Sequence, residues 1–167
     1  MELSTDSGEL LAYGITSKIQ KNLPIKQAID LIHEQGGIAV AAHPFNKKHP
    51  NLDFSRIDED IIKKLNIDAL EVFDVLHGRV DAHFLDLAKQ MDIGITGGSD
   101  AHIHYQIGKG LTILPDSCVT WQDIIEAIKN KDSYATGLRL SMARIAVDML
   151  WCQTLGRYFI SKKWVSE

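Results

Sequence analysis

The sequence predicts an α/β fold in which parallel strands alternate with outer helices, and three observations carry that reading. Short β-like runs alternate with helical segments of about 10–15 residues, the pattern of βαβ units. Ile38 to Ala42 is almost entirely apolar, as a strand covered on both faces of a parallel sheet must be. Polar and glycine-rich punctuation then follows the β-like runs directly, at His43-Pro44 and at Gly97-Gly98-Ser99-Asp100-Ala101-His102. In parallel α/β proteins the carboxyl ends of the strands form the functional face.

A first strand is expected over Leu10 to Ile15. Pro24 suits a helix start, where its missing N–H would be unpaired anyway. Ile25, Ala28, Ile29 and Ile32 then fall at i, i+3, i+4 and i+7, one apolar helical face, stopped by Gly36-Gly37. After the strand at Ile38, the pattern recurs as a helix around Asp58 to Leu65, a strand at Ala69 to Phe73, a helix around Val80 to Met91 and a strand at Ile93 to Thr96. Leu111 to Leu114 is a further short strand, and Thr120 is placed to cap a helix carrying Trp121, Ile124, Ile125 and Ile128. Met142 to Ile160 is interrupted by Arg144, Asp148, Gln153 and Arg157, so it reads as an amphipathic helix rather than a membrane span. No repeat or linker divides the chain; residues 1–140 form the expected α/β unit and 141–167 a terminal helix packed on it.

A chain of 167 residues is adequate for one domain. It is short for a complete (β/α)8 barrel, which typically needs about 250. With 45% apolar and 24% charged residues, disorder and fibrous structure are poor readings. The net charge of −4 carries no basic run that would mark stable docking to nucleic acid. Cys118 and Cys152 form no CxxC, and the first residues contain neither a basic nor an apolar targeting region, so a reducing, cytoplasmic setting is expected.

His43 follows one buried strand, and Asp100 with His102 follows another. Imidazole and carboxylate are ligand types that Zn, Mn and Fe accept, and the glycines before Ser99 would let the backbone turn Asp100 and His102 inward. A histidine at a strand end is also commonly a hydrogen-bonded structural residue, so spacing alone leaves both roles open for His43.

The strings GELLAYGI, IKQAIDLIHEQGG, IAVAAHPF, DALEVFD and IGITGGSDAH, followed by IGKGLTIL, look like the latter part of a PHP (polymerase and histidinol phosphatase) domain over about residues 2–130. The most specific are Ala42 to Phe45 and Gly97 to His102, together with the leading Glu2. The resemblance implies a distorted (β/α)7 TIM-like barrel of which this chain is an incomplete portion. It also implies hydrolysis of a phosphomonoester or phosphodiester by water activated on divalent ions (Zn, Mn, Fe or Mg, up to three in complete members). Glu2 matches the glutamate that bridges two metals, His43 a histidine ligand, and Asp100 and His102 the closing Asp-x-His pair, so His43, Asp100 and His102 are the expected catalytic residues.

Family members also carry an opening His-x-His strand and a Thr-Asp-His motif before the glutamate. This sequence begins at the glutamate, and the expectation is an N-terminally truncated phosphoesterase acting on a small phosphorylated substrate or nucleotide. The alternative is a catalytically inactive fragment serving as an interaction or structural module, as a homo-oligomer or with a complementing N-terminal fragment. Where many relatives place a ligand histidine this chain has Glu9, either a further metal ligand or an exposed strand-end carboxylate. His77 could meet metal or phosphate and Arg79 could clamp phosphate, or both could lie in a surface loop. His33, His49 and His104 read as solvated or loop residues.

Overall fold

The computed structural model describes residues 1–44, 59–75, 78–101 and 104–141, with the side chains of residues 59–61 and 74 left aside. The chain opens with a hairpin, β1 (Glu2–Thr5) and β2 (Gly8–Tyr13), closed by Asp6 and Ser7. Residues 14–23 then climb back beside β1, where Thr5 and Leu23 form a parallel bridge. In α1 (Ile25–Glu34) the buried residues are Ile25, Ala28, Ile29 and Ile32, the face that the spacing predicts. Pro24 takes the N-cap position, and Asp6 of the hairpin turn accepts the Ile25 N–H at 3.0 Å in place of a local cap.

The fully buried strand β3 (Ile38–Ala41) is followed by α2 (Glu59–Lys64) and β4 (Ala69–Glu71). A small ribbon of β5 (Phe73–Asp74) and β6 (Arg79–Val80) leads to α3 (Ala82–Met91), whose first turn is capped by Asp81 accepting the N–H groups of His83 and Phe84. Among the described residues, β7 (Gly94–Thr96), β8 (Gly110–Ile113), α4 (Trp121–Lys129) and β9 (Tyr134–Gly137) follow, with a 3-10 turn at His104–Gln106. Among the described residues no helix is long and apolar enough to cross a membrane. The expected terminal helix over 141–160 lies outside the described residues, apart from Ser141.

The strands are less uniformly parallel than the sequence predicts. The main sheet runs β1-β2-β3-β4-β7, with β3–β4 and β4–β7 parallel but β1–β2 and β2–β3 antiparallel. A two-residue turn can only join antiparallel strands, because a parallel pair needs a crossover of a dozen or more residues. The second difference is β8, expected as another parallel strand. It pairs with β9 as a separate antiparallel sheet and meets β7 through a side chain: Thr112 Oγ1 accepts the Gly97 N–H and donates to the Gly97 carbonyl, both at 3.0 Å. The described strands therefore do not close into a barrel.

Register decides what each sheet face carries. Glu2 pairs with Leu11, Ser4 with Glu9, Leu11 with Val40, Val40 with Ala69, and Glu71 with Thr96, so these residues share one face. The alternate residues Leu3, Leu10, Ala39, Ala41 and Leu70 join α1, α2 and α3 side chains in the larger core. On the site-bearing face, Ile38, Val40 and Ala69 pack against Ile125 and Ile128 of α4. Gly94 makes this close approach possible, since a Cβ there would overlap the Ile128 carbonyl. At the amino end of β4, Asp68 Oδ2 accepts the Ala39 N–H at 2.8 Å and lies 2.7 Å from His33 Nε2. His33, expected to be solvated, is thus half-buried and ties α1 to the foot of the sheet.

Two outcomes follow from this packing. Gly94→Ala should cost about 1–3 kcal/mol by overpacking, read as a lower denaturant midpoint at unchanged slope. Asp123 is held below the usual carboxylate range by N–H donors of Thr120 and Val119 and by the Thr120 hydroxyl. Its contribution is present above the unfolded value near 3.9 and lost as pH falls through the lower folded value, so Asp123→Asn should flatten the acid limb of stability measured below about pH 4.

Candidate metal centre

The strands deliver acidic and imidazole groups to one place. β3 ends at Ala41, and His43 follows two residues later with φ 27°; β7 ends at Thr96, and Asp100 follows with φ 44°. Both are non-glycine residues in the left-handed region, a conformation costing about 1–3 kcal/mol each that persists only when the surroundings hold it. Glu2, on β1, and Glu9, on β2, come from the same face of the sheet.

Glu2, His43 and Asp100 offer ligand atoms that all lie within 4.8 Å of one another. His43 Nε2 is 3.8 Å from Glu2 Oε1 and 3.4 Å from Glu9 Oε2. Ligand atoms about 2.0–2.2 Å from one ion stand no more than about 4.4 Å apart, so the 3.4 and 3.8 Å spacings suit a shared cation, while the 4.8 Å bound on the three-residue set calls for a small inward shift of its side chains. Ser4 Oγ donates to Glu9 Oε1 at 3.4 Å, the kind of outer contact that orients a ligand carboxylate. His43 Nδ1 is buried with no hydrogen-bond partner among the described residues.

Glu71 is a participant that the sequence reading missed. Buried at the end of β4, it accepts the His43 N–H on Oε2 at 2.8 Å. Burial is the largest influence on its carboxyl and pushes the pKa up; the His43 N–H bond and the nearby imidazole oppose this, while the charges of Asp100 and Glu2 add to it. The available signal was a lone acid inside the otherwise apolar Ala69–Phe73 run, because a glutamate is rarely fully buried without a partner.

One imidazole among carboxylates from Glu2, Glu9 and Asp100 is a donor set for a divalent cation of the Mn, Zn, Fe or Mg class. Among the described residues these acids share one histidine, and a cation would offset the like charge they bring together. His102 and His77, both expected near the site, lie outside the described residues. Arg79 is exposed on the β5–β6 ribbon, and His104 is exposed in the 3-10 turn, as the loop reading had it.

Comparison with known proteins follows the same lines. The profile of a PHP-associated family matches residues 82–133, from α3 through α4. An uncharacterised protein of Methanocaldococcus jannaschii is 30% identical over 112 residues, covering 64% of this chain and 46% of the relative. A second uncharacterised protein of that organism is 34% identical over 76 residues, covering 46% and 41%. The chain thus spans less than half the length of either. Among solved structures, PsfC from Pseudomonas syringae superposes with a TM-score of 0.61 at 21% identity, over 92% of this chain and 64% of the other. A two-domain protein of Bacteroides vulgatus containing a predicted PHP-like metal-dependent phosphoesterase superposes with a TM-score of 0.61 at 18% identity, over 82% and 43%. At these identities the structural likeness speaks for the fold.

If the cluster binds a cation, free Mn2+ at about 100 Kd should stabilise the chain by about 2.7 kcal/mol, measured as a rise in thermal midpoint. His43→Ala and Asp100→Asn should each abolish most of that rise.

Proposed function

We propose that the chain is a metal-dependent phosphoesterase of the PHP (polymerase and histidinol phosphatase) family, hydrolysing a phosphomonoester or phosphodiester at the Glu2, His43 and Asp100 cluster. The observation that carries this reading is the convergence of those three residues, from three different parts of the chain, within 4.8 Å. His102 joins them as the fourth ligand by the family resemblance, and Glu9 supplies a carboxylate where many relatives place a histidine. Divalent ions held there would neutralise phosphoryl oxygens and make water acidic enough to attack phosphorus near neutral pH.

The chain's own groups have separable roles. Glu2 has two carboxylate oxygens and can serve two cations at once. His43 contributes a neutral nitrogen, which limits the negative charge the phosphate must approach. Asp100, at the end of the glycine turn, closes the ligand set from the side of β7. The substrate is a small phosphorylated molecule or nucleotide, in keeping with the absence of a basic track. Because the chain spans less than half of its curated relatives, we read it as one part of the family's catalytic unit, completed by a segment bearing the His-x-His ligands.

A second reading, an inactive module that binds a partner or a second copy, is favoured by the exposed apolar side chains of Leu111, Ile113, Tyr134 and Leu138 on and beside the paired strands β8 and β9. One experiment separates the two. The purified chain is loaded with Mn2+ or Zn2+ and assayed on p-nitrophenyl phosphate and bis-p-nitrophenyl phosphate, alone and with a His-x-His segment taken from a relative. Hydrolysis that falls at least about 100-fold in His43→Ala and Asp100→Asn is the expected result, since ligand loss removes several kcal/mol of transition-state stabilisation. No turnover under any of these conditions, with a stable oligomer by light scattering, would favour the second reading.

A further inference from the structure

We propose that Glu71 is a positioning residue for the metal centre: its buried carboxylate sets the separation between the His43 and Asp100 loops without entering the ligand set. This inference rests on the metal-centre reading above. Glu71 closes β4, which lies between β3, leading to His43, and β7, leading to Asp100. It is only 4% exposed, so its orientation is fixed by what it touches.

Each oxygen meets a different loop. Oε2 accepts the His43 N–H at 2.8 Å, a charge-assisted bond that holds the backbone of a residue in a strained conformation. Oε1 occupies the space that a Cβ on Gly98 would fill. Gly98 stands two residues before Asp100, so the absence of a side chain there is what allows the carboxylate to rest against the turn that presents Asp100. Behind the same turn, a Cβ on Gly110 would overlap the Gly98 carbonyl, so the turn is braced from its other side and cannot simply yield. Glu71 does not belong to the group of mutually close ligand atoms formed by Glu2, His43 and Asp100. Its contacts are with the two ligand-bearing loops, and it is through them that it sets the geometry offered to a cation.

The test is Mn2+ affinity, measured by calorimetry and by the electron paramagnetic resonance signal of free Mn2+, for the unmodified chain and for Glu71→Ala, Glu71→Gln and Gly98→Ala. Glu71→Ala should weaken binding about 10–100-fold, the usual effect of losing an outer partner of a metal ligand. Glu71→Gln keeps a carbonyl oxygen for the His43 N–H and should recover most of that loss. Gly98→Ala should weaken binding over a similar range, because the new Cβ displaces the carboxylate. Unchanged affinity in Glu71→Ala or in Gly98→Ala would overturn the proposal, and so would a Glu71→Gln variant as weak as Glu71→Ala, which would make Glu71 a ligand itself. Should Glu71→Ala fail to fold by circular dichroism, Glu71→Gln and Gly98→Ala decide the matter. Turnover is not read, so a chain inert toward phosphoesters leaves this test standing. An unmodified chain that takes up no Mn2+ overturns the brace and the metal centre together.

Discussion

Register across β1, β2, β3, β4 and β7 is the constraint on which the rest of the molecule depends. The same alternation that turns Leu3, Leu10, Ala39, Ala41 and Leu70 toward the outer helices turns Glu2, Glu9 and Glu71 to the opposite face. Core and site are therefore two consequences of one pairing. A slip of a single residue would send the acids into the apolar layer and the leucines into the site. The cost of burying unpaired carboxylates guards the register as firmly as the gain from burying leucine.

The two ends of the sheet are held by different physics. At the foot, Asp68 gathers His33, the Ala39 N–H and, at 3.8 Å, Lys129, so opposite charges and a backbone donor offset one another. At the carboxyl ends of β3, β4 and β7, like charges meet beside two residues with positive φ. Strain and repulsion are concentrated where a ligand would relieve them, while the foot is self-satisfied. Catalytic sites commonly have this division, with a packed scaffold holding an unfavourable cluster in place.

Much of the scaffold was legible because its signals are local. The four buried residues of α1 and the unbroken apolar run of β3 can be read from spacing alone, and Thr120 with Asp123 forms a complete capping box. β1 and β9 were not legible: Glu2-Leu3-Ser4-Thr5 and Tyr134-Ala135-Thr136-Gly137 are too short to separate from loop, and Asp6-Ser7 lacks the Asn-Gly or Asp-Gly signature of a tight hairpin. At the site, His43 could be read as structural or as a ligand until the family resemblance brought Glu2 and Asp100 into the same set. Glu71 escaped because its role depends on two loops and a missing Cβ, neither of which leaves a spacing pattern.

The sheet's curl has a consequence for motion. β1 and β7 are the outermost strands of the five-stranded sheet, and four flat spacings would place them about 19 Å apart. Glu2 and Asp100 nevertheless meet at His43 across that interval, which requires the sheet to curl toward this face and the turn after β7 to reach across it. An ion shared by these residues would act as a clasp between the sheet's two margins. Among the described residues β1 is paired along its length with β2 alone, touching residues 22–23 near its far end, and it is the margin most ready to fray. Occupancy would then be felt in the slowed hydrogen exchange of β1 amides, so that filling the site also finishes the fold.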